Sequence, residues 1–222
     1  MTLDRLKDLR FYTPGIISIV FSALLGWITK LWEITIPDSL GDLKLAPPAV
    51  ACALLYYLTP LRAWCNQVFA DDVNENIRSK LVSISGLQDD PDVFMWKKLR
   101  RVFYDLVDND ESLKVLASQA YSNGFLWTLF ADIRTLALVF VFISLFFCLF
   151  ALNEALFAAS IFALIVLISL IASAISTRRH MEIGNEQIET IKLKHKPKLI
   201  KMLEGVRDES DRSRGALHSA GS

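Results

Sequence analysis

Cysteine, histidine and unbalanced charge are all scarce in this sequence, and each scarcity removes a class of function. The three cysteines, Cys52, Cys65 and Cys148, form neither a CxxC pair nor a zinc pattern. They lie in or beside apolar segments and read as small buried residues. His180, His195 and His218 all fall toward the carboxyl end, none at metal-ligand spacing with a partner. There is no glycine-rich phosphate loop, no GxSxG and no HExxH. The expectation is therefore no enzyme, no cofactor and no metal. Asp108-Asn109-Asp110-Glu111-Ser112 has the acidity of a calcium loop but lacks the central glycine and the closing glutamate, so it reads as a helix cap. Lysine plus arginine and aspartate plus glutamate number 24 each, which argues against a chain built mainly to coat nucleic acid.

Charge is scarcest of all from Thr135 to Ile175, where Glu154 is the one charged residue. A bilayer core takes about 20 apolar residues as a helix, so this run holds two spans back to back. Backbone groups in lipid must be bonded within the segment, which favours a tight helical hairpin turning at Asn153-Glu154 over irregular structure. A basic lead (Arg5, Lys7, Arg10) precedes Pro14 and the run GIISIVFSALLGWI. Proline suits a first helical turn, where its missing N–H costs nothing. No small-residue cleavage site follows, so the run reads as a first span ending at Trp27, Lys30 and Trp32 rather than as a secretory signal. Glu33 to Leu45 is a linker, and Leu45 to Leu61 a short second span that Pro60 ends.

The chain thus divides into a lead (1–13), a first transmembrane pair (14–65), a helical middle domain (66–131), a second hairpin (132–177), a basic helical tail (178–206) and a disordered end (207–222). The expected fold class is all-α, an integral membrane protein with four spans. No fixed-period or inverted repeat is present. Basic residues are rare in the two turns: Lys44 alone in one, with Lys30 at its edge, and none in the other. Three lie in the lead, nine from Arg62 to Arg134 and ten from Arg178 onward. The positive-inside rule places both termini and the middle domain in the cytoplasm.

Within the middle domain, Asp71 to Ser83 reads as a helix that stops at Gly86, before the acidic loop Gln88-Asp89-Asp90-Pro91. Trp96, Leu99, Val102, Phe103 and Leu106 share one helical face, and Lys97, Lys98, Arg100 and Arg101 share the opposite arc. Asn109 or Asp110 caps a further helix from Glu111, which Ser122-Asn123-Gly124 should break.

Two sets of residues are candidates for function. The arc of Lys97, Lys98, Arg100 and Arg101, beside Trp96, Phe103 and Tyr104, suits phosphate contact with aromatic stacking. A solvated face or a basic patch on anionic lipid uses the same residues. Arg178 and Arg179 are secondary candidates. In the hairpin, Ser169, Ser173 and Ser176 form a small polar stripe, as do Ser144 and Cys148 on the preceding helix. Such stripes pack helices closely or line a water-filled pore, with Glu154 at its mouth favouring cations. Asp132 and Arg134 sit at the edge of the third span, positioned to pair with each other, with another subunit, or to snorkel.

Arg101-Val-Phe-Tyr104, Val107-Asp-Asn-Asp-Glu-Ser-Leu113, Tyr121-Ser-Asn-Gly-Phe-Leu-Trp127 and Gly184-Asn-Glu-Gln187 together resemble small four-span bacterial antiphage membrane proteins of the Hailong effector type. The resemblance covers most of 99–187. It implies a homo-oligomeric channel in the bacterial inner membrane, gated by a DNA or nucleotide oligomer and partnered by a nucleotidyltransferase. It carries no residue-by-residue assignment. The alternative is an adaptor, a bilayer anchor whose cytoplasmic helices recruit a soluble partner without a pore. A small transporter fits less well, since no repeat and no buried charge pair are expected.

Overall fold

A computed structural model describes residues 3–32, 46–150 and 153–220, with side chains for 9–32, 47–150 and 153–212. Seven helices occur among the described residues: α1 (Leu3–Thr29), α2 (Ala46–Tyr57), α3 (Leu61–Ser85), α4 (Trp96–Asp108), α5 (Glu111–Cys148), α6 (Asn153–Lys194) and α7 (Lys196–Ala220). No strand occurs among the described residues. The linker assigned to Glu33–Leu45 lies outside them. Among the described residues, three helices are long and apolar enough to cross a membrane: Leu9–Thr29 of α1, α5 and α6. The chain divides into two compact units. The first comprises Met1–Val68 and Gly124–Ser176, the second Phe69–Asn123 and Thr177–Ser222.

The first unit buries several polar side chains beside an apolar cluster and carries large apolar side chains on its outside. Ser144 and Ser173 are 0% exposed, whereas Phe142 is 64% and Leu149 80% exposed. A water-soluble bundle distributes them the other way round, and outward apolar faces of this extent mark contact with lipid or protein. Phe21 of α1, Phe140 of α5 and Phe162 of α6 knot three helices together, with ring centroids 5.2–5.6 Å apart. At the α1–α2 crossing, a Cβ on Gly15 would lie 1.8 Å from the Ala49 carbonyl oxygen. Gly15→Ala, which in an open helix stabilises by about 1 kcal/mol, is therefore expected to destabilise by about 1–3 kcal/mol through overpacking. A lowered unfolding temperature in detergent is the readout.

Pro14 lies inside α1 rather than at its start. Its missing N–H leaves the carbonyl of Arg10, four residues back, without the usual helical partner. The Tyr57 hydroxyl donates to that carbonyl at 2.9 Å, so α2 repairs the helix that Pro14 interrupts. At the other end Lys30 turns the chain with φ +55°, and Trp32 folds back to donate its indole N–H to the Ser22 carbonyl.

In the second unit α3, α4, α5, α6 and α7 all contribute to one core. It holds Ile77 and Leu81, Leu99 and Leu106, Leu113, Ile188 and Ile191, and Leu199 and Leu203. The expected apolar face of α4 is buried as the spacing requires, apart from a half-buried Trp96. Gly86, at φ +74°, ends α3. Asp110 caps α5, its carboxylate accepting the Leu113 N–H at 3.1 Å.

Five expectations need correction. α2 has 12 residues. At 1.5 Å per residue it reaches only about 18 Å, too short by itself to cross the roughly 30 Å of hydrocarbon. α3 begins at Leu61, immediately after Pro60, not at Asp71. Ser122-Asn123-Gly124 does not interrupt α5, because tertiary contact outweighs the modest helix penalty of these residues: Asn123 is buried, with its amide 3.4 Å from His180 Nδ1. The hairpin turn follows Cys148, and Asn153 and Glu154 are the first residues of α6, where an acid suits the helix dipole. Finally, α7 runs through residues 207–220, expected to be disordered; Leu203, Val206 and Ser210 anchor it to the second unit.

Candidate functional site

Burying charge among apolar helices is costly, and the first unit does so at one place. Asp132 of α5 is 1% exposed, and Arg134, two residues on, 5%. They do not pair with each other, because two residues along a helix point them to different sides. Asp132 Oδ1 lies 2.9 Å from Arg62 Nε at the start of α3 and accepts a 3.0 Å hydrogen bond from the Tyr56 hydroxyl at the end of α2. Arg134 donates to Ser173 Oγ of α6 at 3.1 Å and to the Cys65 carbonyl of α3. Four helices thus meet at two guanidinium groups and one carboxylate.

Arg62 is held on three sides. Its Nη1 donates to the Tyr57 hydroxyl at 3.1 Å, and its guanidinium lies 5.3 Å from the centroid of that ring. Nη2 is buried with no partner among the described residues, and so is Asn66 Oδ1, one helical turn further along α3. The arrangement is therefore a one-point ion pair, not the bidentate fork that guanidinium and carboxylate favour. Asp132 lies within the apolar α5, whereas its cationic partner is half-buried at the start of α3.

The serine stripes fall on the same interior. Ser144, Ser169, Ser173 and Ser176 are all buried within the chain. Ser144 and Ser169 bond back to the carbonyls of Phe140 and Val166, and Ser173 holds Arg134. Their immediate use is helix packing. Cys148 is half-buried, and Glu154 is exposed.

In the second unit Lys97, Arg100 and Arg101 are exposed on α4 and bond to nothing among the described residues, while Lys98 reaches Ser210 at 3.4 Å. Of the neighbouring aromatics, Phe103 is committed to the core and Trp96 packs against it. Only Tyr104, 54% exposed, remains available for stacking. Arg178 and Arg179 are exposed, Arg178 pairing with Glu182 at 3.3 Å. A nearby cleft of about 550 Å³ is lined by Asp71, Asn74, Glu75, Arg78, Pro91, Met95 and Trp96. Its acids repel phosphate, so an anion belongs on the α4 arc. No group of three or more potential metal-ligating side chains occurs among the described residues.

Ion pairs fasten the rest of this unit. Arg78 is buried and bonds Glu75 and Asp89, each at 2.7 Å. Its hydrogen bonds hold both carboxyls below the usual carboxylate range. Asp110 is lowered as well, by the Ser112 hydroxyl first, then His195 at 3.0 Å, then the Leu113 N–H. Carboxylates depressed on folding contribute stability that is complete above their ordinary values and lost as pH falls through the folded ones. The unfolding temperature should accordingly stay level, as far as these groups set it, from pH 7 to about 5 and drop below about 4. Arg78→Met should flatten that acid limb at a cost of about 1–2 kcal/mol, because the freed acids are exposed enough to rehydrate.

Arg62 and Tyr56 were not legible as site residues. Arg62 reads locally as an interfacial cation after a span, and only the fold brings it to Asp132. No protein-family model, no curated protein and no solved structure matches this chain, so the site is interpreted from its own chemistry.

Proposed function

We propose that this chain is a homo-oligomeric, ion-conducting membrane effector, gated by an anionic nucleotide or oligonucleotide that binds the α4 face of the second unit. The observation that carries this reading is the Tyr56–Arg62–Asp132 cluster, built on a buried carboxylate with the buried Arg134 beside it, among apolar helices. A passive anchor has no use for a buried carboxylate and a buried guanidinium group. Ionisable side chains inside membrane segments accompany ion and substrate paths.

In this reading α1, α5 and α6 cross the bilayer, and α2 with the first turns of α3 makes a fourth, interrupted crossing. The break at Leu58–Pro60 is tolerable because it lies beside the polar cluster. Four crossings put both termini on one side, and the basic residues choose the cytoplasm. An antiphage role in a bacterial inner membrane, with a nucleotidyltransferase as partner, follows from the likeness of residues 99–187 to Hailong-type effectors.

Potassium efflux from proteoliposomes tests the reading. Efflux that short single-stranded DNA raises or lowers supports it, and tight vesicles under every condition refute it. The adaptor reading is favoured by one observation: the serine stripes are consumed by packing inside the chain. It predicts tight vesicles together with stoichiometric capture of a soluble partner.

A further inference from the structure

The way Arg62 holds Asp132 is unusual for a structural ion pair. A lock would engage both carboxylate oxygens with two guanidinium nitrogens. Here Arg62 Nε and the Tyr56 hydroxyl both come to Oδ1, at 2.9 and 3.0 Å. Arg62 Nη2 is left buried without a partner among the described residues. The arginine also rides on the first turn of α3, directly after the non-helical Leu58–Pro60, where small backbone rotations would swing it away. What it would leave behind is a carboxylate 1% exposed, a phenolic oxygen on it, and the buried Asn66 carbonyl one turn beyond Arg62 on α3.

We infer that Asp132, with Tyr56 and Asn66, is a binding site for a monovalent metal cation, and that Arg62 is its tethered competitor. A carboxylate so buried takes up a proton unless it has a positive partner. The guanidinium supplies it in the conformation described here, and a sodium or potassium ion supplies it when Arg62 departs. One carboxylate with neutral oxygens suits a singly charged ion. Calcium and magnesium take more anionic oxygens and a fuller ligand shell, and no cluster of three acidic, histidine or cysteine side chains occurs among the described residues. The inference rests on the channel reading for its purpose but not for its test: in a channel, exchange of Arg62 for a mobile cation is a way to couple opening to ion entry.

The test is the thermal stability of purified full-length variants in detergent, in potassium chloride against N-methylglucamine chloride at equal ionic strength. Arg62→Gln exposes the site, and its unfolding temperature should rise by several degrees in potassium. Wild type, with the site filled by Arg62, and Arg62→Gln/Asp132→Asn, with no charge to satisfy, should not respond. Arg62→Ala serves as a second exposing variant. Equal stability of the exposing variants in the two salts overturns the inference, as does their failure to fold in either salt while the double variant folds. A potassium response in a protein that does not conduct would retain the cation site and discard the channel. Conductance without a potassium response would do the reverse.

Discussion

Asp132→Ala is expected to cost about 2–3 kcal/mol of stability, less than removing one member of a fully buried ion pair because Arg62 is 19% exposed. The half-buried guanidinium of Arg62 would keep the Tyr57 hydroxyl and its exposed edge as compensation. Adding Arg62→Met should recover most of the loss, because two well-packed apolar side chains need no solvation. Chemical or thermal unfolding of the two singles and the double closes the cycle. A coupling energy near zero would mean that the two charges meet solvent rather than each other, and the cluster would lose its significance. Tyr56→Phe should cost less, about 1 kcal/mol, since it removes a single hydrogen bond to the carboxylate while Arg62 stays.

The second large effect is on ligand binding. Reversing Lys97, Arg100 and Arg101 to glutamate should weaken binding of a short single-stranded DNA on the order of 100-fold near physiological salt. It should also reduce the dependence of log affinity on log salt by about 2, since each phosphate contact on a single strand releases about 0.7 counterion. Folding should be unaffected, because these three side chains bond to nothing among the described residues. Lys98 is left intact because it reaches Ser210 in the packed unit. Fluorescence anisotropy across a salt series reads both quantities. An unchanged slope would assign the arc to a solvated face or to lipid.

How far these features were readable in the sequence depended on how local their causes are. The burial of α4 followed from apolar spacing alone, and the caps at Gly86 and Asp110 from single residues with one physical role each. The apolar runs of α1, α5 and α6 were equally plain. The interior of α5 was not: Ser122-Asn123-Gly124 is a sound local break signal that loses to burial of Asn123 in tertiary packing. The second half of α7 was missed for a related reason, since the polar residues beyond 206 hid the anchoring that Ser210 adds to Leu203 and Val206. The candidate cluster was the least visible, because Arg62 and Asp132 are 70 positions apart and no periodicity links them. Asp132 and Arg134 stood out as charges inside an apolar stretch, yet each proved to bond to residues of other helices. A rule that every buried charge must find a partner would have demanded the search for Arg62 without supplying its answer.

Single-channel recording of the purified protein in planar bilayers, with and without short single-stranded DNA, bears most directly on the central claim. The account predicts discrete openings whose frequency the DNA changes, and an altered conductance or cation preference in Asp132→Asn. Flat traces from protein shown to be inserted and folded, in every ligand state, would contradict it.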